Sequence, residues 1–287
     1  MNRGIVFSAL ALLIAVAIWA LTNPKRPVDP RVEIPARTTR EFPRAELLKP
    51  LPLDDSLSGL ERELQPLFLI ELPAGASSET WARFGTMRID AGEPRVVASP
   101  PKVYVTSTRA SWDGTEHAQF LYAWWHRNPD RSPAAPPWID QGVRVTLDDR
   151  SMPAVWEVLR DSSGLRVVYV SSSLEKAARE EFGPPLEGRR FSVERSLAET
   201  PDVVVARVLS DGPVPMGPWV YLLADSLDVS TLLCRCMDSQ VEEIHPGNTG
   251  YALEPLESLE ELLESFGGGF PPLSETLGES LRLPGSL

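Results

Sequence analysis

The sequence predicts an α+β fold: an antiparallel sheet meander with one or two packed helices, preceded by a single N-terminal transmembrane helix. Three observations lead to this prediction: an uncharged apolar run at the N-terminus, a series of short alternating segments joined by tight turns, and an amphipathic helical segment directly after them. Apolar residues make up 43% of the 287-residue chain, which is enough to form a hydrophobic core.

The N-terminal run extends from Ile5 to Leu21 and carries no charge. As a helix it spans about 26 Å, close to the hydrocarbon thickness of a bilayer, roughly 27–30 Å. Trp19 near its end is typical of an interfacial anchor. A cleaved signal peptide and a buried core helix are the alternatives, and Ala15 to Ala17 has the spacing of a cleavage site, but the apolar run continues past it. We therefore expect a short tail at 1–4 and an uncleaved single-pass anchor at 5–21.

The orientation of this anchor is set by two opposing signals. Lys25 and Arg26 follow the apolar run and favour a cytoplasmic location for the domain. The very short N-terminal tail with its positive amine favours export. We expect the domain to be exported, in a periplasmic or extracytoplasmic location.

The domain boundaries follow from composition. Residues 22–59 are rich in proline and charge and show little apolar periodicity, which predicts a linker. Residues 60–265 then form a single α+β globular domain. The Gly-, Pro- and Ser-rich residues 266–287 predict a disordered tail.

The body of the domain begins with a predicted hairpin, residues 103–109 and 117–125, around a Trp-Asp-Gly turn signal. Alternating segments follow at 143–147, 154–159 and 165–170, and their tight turns require antiparallel pairing. Ser172 and Glu175 form a capping-box pattern and predict a helix over 172–182. Later segments predict further strands and a short acidic helix, at 203–209, 219–223, 229–236 and, for the helix, 256–263.

Charge and cysteine content exclude two classes of protein. The chain has 28 Lys and Arg against 40 Asp and Glu, a formal net charge of −12, and the acidic excess lies after the first fifty residues. An acidic body argues against nucleic acid as a partner, because phosphate binding needs a basic surface. Two cysteines are too few for a disulfide-stapled scaffold.

Cys234 and Cys236 form the sharpest local motif, Cys-Arg-Cys-Met. In a strand this spacing points both thiols to one face, while Arg235 faces the other side. With His245 nearby, the pair suits a Cu(I) site; alternatively it forms a reducible disulfide, or two buried thiols that only fill space. Packing is the interpretation we favour, so no cofactor is predicted, and copper remains the alternative.

The aromatic segment around Trp124 and Trp125 is the second candidate. Adjacent residues of a strand face opposite sides, so both enter a core only if the strand is covered on both faces. One of the two is otherwise exposed as a binding surface for a sugar, peptide or protein. Coverage by the sheet core and by the helix at 172–182 is the interpretation we favour.

The function indicated by these patterns is a membrane-anchored, non-enzymatic binding or interaction domain. We expect its partners to be the membrane, through residues 5–21, and a protein near the membrane. One alternative is a thiol-redox or copper-handling protein that uses Cys234 and Cys236. The other is a hydrolase without a recognisable motif that uses His117 or His126.

Overall fold

The structure is a computed structural model that describes residues 30–52, 57–73, 75, 84–90, 93–97, 101–112, 114–127, 138–224, 226–247, 250–256 and 277–285. The predicted anchor at 5–21, most of the predicted acidic helix and residues 266–276 of the predicted tail lie outside these ranges. Within the described ranges, no helix combines the length and the apolar character that a membrane span requires.

Strands dominate the described residues, as expected for a sheet-rich α+β fold. The helices are α1 (Pro30–Thr38), α2 (Gly59–Glu63), α3 (Ser172–Phe182) and α4 (Leu277–Ser280). The strands are β1 (Phe42–Leu48), β2 (Leu67–Glu71), β3 (Phe84–Asp90), β4 (Glu93–Val97), β5 (Lys102–Trp112), β6 (Thr115–Arg127), β7 (Trp138–Leu147), β8 (Pro153–Leu159), β9 (Arg166–Ser171), β10 (Val203–Leu209), β11 (Pro218–Leu222), β12 (Val229–Cys234), β13 (Val241–Pro246) and β14 (Ala252–Pro255).

The strands form two sheets that pack face to face. The small sheet has five strands in the order β12-β11-β2-β1-β13. The large sheet has nine strands and runs β10-β9-β8-β7-β6-β3-β4, with β5 also paired to β6 and β14 paired to β5. Both sheets supply the main core between them, which includes Phe68, Val220 and Leu232 from the small sheet and Trp124, Val145 and Tyr169 from the large one.

The predicted hairpin is the β5–β6 pair, and the predicted antiparallel meander is formed by β7, β8 and β9. Strand β6 also pairs with β7, so β5 to β9 pair in chain order and form the centre of the large sheet. Parallel pairs accompany it: β9 with β10, β5 with β14, β2 with β11 and β1 with β13. The β9–β10 pair is connected through α3, because parallel neighbours need a crossover rather than a tight turn.

The predicted linker at 22–59 differs from the structure from Pro30 onward. Helix α1 and strand β1 belong to the folded domain, and β1 lies between β2 and β13 inside the small sheet. Ile34 is buried in the core between the sheets, and Phe42 is buried in a second apolar cluster of the small sheet. The prolines of this segment favour a linker interpretation, but Pro35 is accommodated within α1, whose short length leaves few hydrogen bonds to lose.

The predicted disordered tail also differs where the structure describes it. Residues 277–285 fold back onto the outer face of the large sheet, where Leu277 and Leu281 are buried among residues of β8, β9, β10 and α3. The backbone N–H of Arg282 donates to the carbonyl of Val193 at 2.7 Å. Apolar leucines spaced one helical turn apart outweigh the surrounding glycine and proline.

Candidate functional site

The two cysteines lie where β12 ends in a tight turn, residues 234–237, which we call the cysteine turn. The Met237 N–H donates to the Cys234 carbonyl at 3.1 Å, and a disulfide joins Cys234 and Cys236. Cys234 is buried, whereas Cys236 is exposed. The interpretation as two separate packed thiols is therefore replaced by a disulfide with one cysteine at the surface, where a solution thiol can reach it.

The three residues predicted to bind Cu(I) do not converge. His245 lies on β13, at the opposite edge of the small sheet from β12, which carries the cysteines. Its Nε2 atom is 3.1 Å from an Arg44 guanidinium nitrogen and 3.1 Å from a Glu243 carboxylate oxygen. With the sulfurs bonded to each other, neither cysteine is a thiolate ligand. The described part of the chain contains no group of three or more His, Cys, Asp or Glu that could hold a metal ion.

A loop between β10 and β11, residues 211–217, holds the cysteine turn in place. Gly217 donates its N–H to the Glu63 carbonyl at 3.0 Å, and a Cβ added at Gly217 would lie only 2.2 Å from the Gln65 carbonyl oxygen, so the close approach requires glycine. At the other end of the loop, Asp211 accepts a hydrogen bond of 2.6 Å from the Ser172 hydroxyl at the start of α3. The Cys236 Sγ atom lies 3.8 Å from the Asp211 carbonyl oxygen, so the turn contacts a loop that is fixed at both ends.

Arg235 departs from the orientation predicted for it. Because β12 ends at Cys234, strand alternation no longer fixes the direction of Arg235, and its guanidinium lies within electrostatic range of two buried phenols, Tyr122 and Tyr251. Burial lowers the pKa of Arg235. Its Nε and Nη2 atoms are buried and make no hydrogen bond to any residue that the structure describes.

The hydroxyls of both tyrosines donate hydrogen bonds to backbone carbonyls. Tyr122 donates to the Glu61 carbonyl at 2.8 Å, and Tyr251 donates to the Pro66 carbonyl at 2.7 Å. Burial is the main cause that raises the pKa of both phenols. Both side chains therefore stay neutral at physiological pH and supply no negative charge to Arg235.

Trp124 and Trp125, the predicted binding surface, are both buried, with 0% and 2% of their surface exposed. Trp124 packs edge to face on Phe68 between the sheets, with ring centroids 4.9 Å apart. Trp125 packs in the same way on Tyr104 on the outer face of the large sheet, at 5.3 Å. Strand β6 is covered on both faces, so neither indole forms an exposed binding surface.

The two histidines considered for hydrolysis are also buried, and they lie on opposite faces of β6. Their odd spacing in a strand that pairs without a break requires this arrangement. The His117 Nδ1 atom is 3.1 Å from the Leu147 carbonyl oxygen and 3.6 Å from an Asp149 carboxylate oxygen, while His126 is completely buried. The structure does not bring them into one site.

Strand β13 forms an exposed, acidic edge of the small sheet, which no local sequence pattern predicted. Its one neighbour among the described strands is β1, in parallel register. Glu242 and Glu243 are exposed, and Ile244 is 37% exposed. Glu243 lies 3.4 Å from Arg44, whereas Glu242 makes no ion pair within the described part of the chain.

A cluster of polar side chains lies where α1 meets the β8–β9 and β11–β12 turns. Arg37 donates to Asp161 at 2.5 Å, and Gln141 donates to Asp228 at 3.2 Å. Burial raises the pKa of Asp228, and the negative charge of Asp161 adds to this shift. These four residues come from elements far apart in the chain, so no local sequence motif predicts the cluster.

The candidate sites thus depend on tertiary contacts between distant segments. The cysteine turn and the acidic edge of β13 are the two that reach the surface. Compared with models of known protein families, with curated proteins and with solved structures, the chain finds no match.

Proposed function

We propose that the chain is a membrane-tethered binding domain that recognises an extended, basic segment of a protein partner through the free edge of β13. The observation that carries this proposal is that β13 pairs with one strand only among the described residues, with exposed side chains at Glu242, Glu243 and Ile244. An edge strand offers a row of backbone donors and acceptors to a peptide that adds as a further strand.

The charge at this edge selects the chemistry of the partner. Glu242 and Glu243 lie on the strand itself, and the exposed Glu41 and Asp238 lie near its beginning, where Phe42 donates to the Gln240 carbonyl. Arg44 offsets part of this negative charge through Glu243. The remaining acidic excess, within a chain of net charge −12, favours lysine- and arginine-rich segments.

The edge is tested with the full chain in detergent and a fluorescent peptide of alternating lysine and valine. We expect saturable binding by fluorescence anisotropy, weakened at least about tenfold by combined Glu242→Lys and Glu243→Lys. The matched control, Glu180→Lys with Glu187→Lys, reverses two exposed charges away from β13 and is expected to bind like the wild type.

Two comparisons separate strand addition from simple charge attraction. A lysine–valine peptide N-methylated at every second residue keeps its charge but cannot form a continuous hydrogen-bonded strand, so we expect it to bind more weakly. Equal affinity of the methylated peptide, or of the two charge-reversed variants, contradicts recognition by the β13 edge.

The tether in this proposal is the apolar segment at 5–21, with the domain exported. Its support is the uncharged run and Trp19 in the sequence. We expect full-length protein to resist alkaline carbonate extraction from membranes, and a chain lacking residues 1–24 to be released. In sealed membrane vesicles, added protease is expected to reach the domain only from the extracytoplasmic side; cleavage only from the cytoplasmic side contradicts export.

Thiol–disulfide exchange is a second candidate function, favoured by the disulfide with exposed Cys236. A substrate thiolate attacks one sulfur and releases the other cysteine as a thiolate. The second substrate thiol then displaces the bound cysteine, so the substrate is oxidised to a disulfide and Cys234 and Cys236 are reduced. A reduced dithiol peptide is expected to be oxidised stoichiometrically by the wild type and not by Cys236→Ser; unchanged peptide with the wild type overturns this function.

A further inference from the structure

The two sulfurs of the disulfide differ in how easily a thiolate from solution can reach them. Cys236 is exposed, whereas Cys234 is 6% exposed at the end of β12. Gly212 of the loop at 211–217 lies against Cys234, since a Cβ added at Gly212 would lie 3.6 Å from the Cys234 Sγ atom. Because exchange requires the attacking thiolate to reach a sulfur, the Cys236 sulfur is the accessible target.

The polar contacts of the two sulfurs favour the same direction of attack. The Cys236 backbone N–H donates to the Cys234 Sγ atom at 3.2 Å, so negative charge that develops on this sulfur is stabilised. The Cys236 Sγ atom instead lies 3.8 Å from the carbonyl oxygen of Asp211, whose partial negative charge opposes a thiolate there. Cys234 is therefore the better leaving group of the pair.

We propose that Cys236 receives the substrate thiolate and that Cys234 is the thiolate released, with a cysteine in an apolar polypeptide segment as the substrate. This proposal rests on the thiol–disulfide exchange described above as the second candidate function. The substrate sulfur bonds to Cys236, the bond between the two cysteines breaks, and its electron pair stays on Cys234. A second substrate thiolate then attacks the substrate sulfur of the mixed disulfide and releases Cys236 as a thiolate. Two substrate thiolates thus become a disulfide, and the two cysteines of the chain are reduced.

Exposed apolar side chains beside Cys236 determine the class of substrate. Met237 follows Cys236 directly and is 43% exposed, and Val214, in the loop that contacts the disulfide, is 54% exposed. The Val214 carbonyl oxygen would lie 3.1 Å from the same added Cβ at Gly212 that approaches the Cys234 sulfur, so Val214 lies beside the disulfide. Apolar residues that flank a substrate cysteine can bury surface against these side chains, whereas a small hydrophilic thiol cannot.

The attacked sulfur can be identified on the wild-type full chain in detergent. A peptide with one cysteine between leucines is added, exchange is stopped by acid after short reaction times, and free thiols are alkylated with N-ethylmaleimide. Trypsin then separates the two cysteines by cleavage after Arg235, and mass spectrometry locates the groups. We expect the peptide on Cys236 and the maleimide on Cys234. The peptide on Cys234 overturns this proposal and leaves the exchange function intact, whereas failure of the wild type to oxidise a dithiol peptide overturns both.

Single-cysteine variants test the same assignment in the reverse direction. Reversal of the second step requires the Cys236 thiolate to attack a substrate disulfide. We therefore expect Cys234→Ser, which retains Cys236, to form a mixed disulfide with the oxidised peptide at least about tenfold faster than Cys236→Ser, which retains the buried Cys234. Equal rates for the two variants contradict the assignment of Cys236, and the mapping on the wild type decides the matter if either variant does not fold.

The class of substrate is tested with a second peptide in which serines replace the leucines around the cysteine. We expect the wild type to oxidise the leucine peptide faster, and Val214→Ser combined with Met237→Ser to reduce this preference at least about threefold. Val32→Ser, the control, changes a side chain that is 66% exposed on α1 and is expected to keep the wild-type preference. Equal rates of the two peptides with the wild type overturn the apolar class of substrate.

Discussion

Glu157 is a buried carboxylate on the outer face of the large sheet, and it pairs with two arginines. It is 1% exposed and accepts hydrogen bonds from both Arg144 and Arg166. Burial raises the pKa of Glu157, but the two guanidiniums outweigh burial and lower it overall. The three side chains lie on neighbouring strands, so the ion network also ties β7, β8 and β9 together.

Replacement of this carboxylate has a defined cost. We expect Glu157→Gln to lower the free energy of unfolding by roughly 3–5 kcal/mol at neutral pH, because two largely buried cations lose their shared counter-charge. Because the folded pKa is lowered, the contribution of Glu157 is present above its unfolded pKa and is lost as the pH falls through its folded pKa. Urea unfolding at several pH values measures both effects. Exposed Glu116→Gln, the control, is expected to cost about 0–1 kcal/mol, and an equal cost for both variants contradicts the network.

Asp228 shows the opposite behaviour. Its pKa is raised, so the folded protein binds more protons than the unfolded chain between the ordinary aspartate pKa and the raised one, and stability falls as the pH rises through this window. We expect Asp228→Asn to be more stable than the wild type at neutral pH, with the difference vanishing in acid. Thermal unfolding against pH measures this, with exposed Asp202→Asn as the control. Lower stability of Asp228→Asn at pH 7 contradicts this account.

At the residue scale, the sequence predicted chemistry only where the motif was local. The cysteine pair was recognised because its members are two positions apart in the sequence, and in the structure a disulfide joins them. The buried position of the Arg235 guanidinium was not predicted, because strand alternation predicts the direction of a side chain only while the strand continues, and β12 ends one residue earlier.

At the scale of elements, α3 shows how closely a helix can be predicted and where precision is lost. Its bounds, Ser172–Phe182, match the predicted helix over 172–182. The cap is Ser171 rather than Ser172, and Glu175 does not return to the cap but accepts from the backbone N–H groups of Ser192 and Val193. The capping-box pattern found the helix because serines occupy adjacent positions, and tertiary contacts then decided their roles.

This difference makes a testable prediction about α3. The Ser171 hydroxyl accepts from the Leu174 N–H at 3.2 Å and is buried, so we expect Ser171→Ala to cost about 0.5–2 kcal/mol of stability. Ser172→Ala removes a more accessible hydrogen bond to Asp211 and is expected to cost less. Urea unfolding of both variants decides between them, and a larger cost for Ser172→Ala favours the cap predicted from the sequence.

The strands likewise fall into two groups, those predicted from local signals and those that depend on distant partners. Strands β5 and β6 were predicted from the turn signal that joins them, and β7 to β9 because they alternate and are joined by tight turns, all of which are local signals. Strands β1 and β13 were missed, because each pairs in parallel with a segment distant in the chain and neither alternates cleanly. The proposed recognition edge therefore lies on a strand that only the assembled sheet reveals.

At the scale of the whole molecule, the fold depends on segments from the two ends of the described chain. Strand β1 lies inside the small sheet, α1 packs against β10 of one sheet and β12 of the other, and residues 277–285 cover part of the large sheet. Such contacts between distant segments carry no local pattern, so a segment rich in proline or glycine is easily interpreted as a linker or tail.

Progressive N-terminal truncation tests this architecture. Removal of residues 1–29 retains every described element, so we expect cooperative thermal unfolding of the remaining chain. Removal of residues 1–39 takes away α1, including Arg37, which pairs with Asp161 and accepts from Ser230 through its carbonyl, and we expect a lower unfolding midpoint.

Removal of residues 1–48 also takes away β1, which separates β2 from β13 in the small sheet. Without β1, the two strands lose the neighbour that connects them, and buried partners such as Leu69 and Tyr221 lose the cover of Phe42 and Ala45. We therefore expect no cooperative transition by circular dichroism and rapid cleavage by protease. A cooperative transition that matches the chain lacking residues 1–29 would instead show that the segment before residue 49 is a linker, as its composition alone indicates.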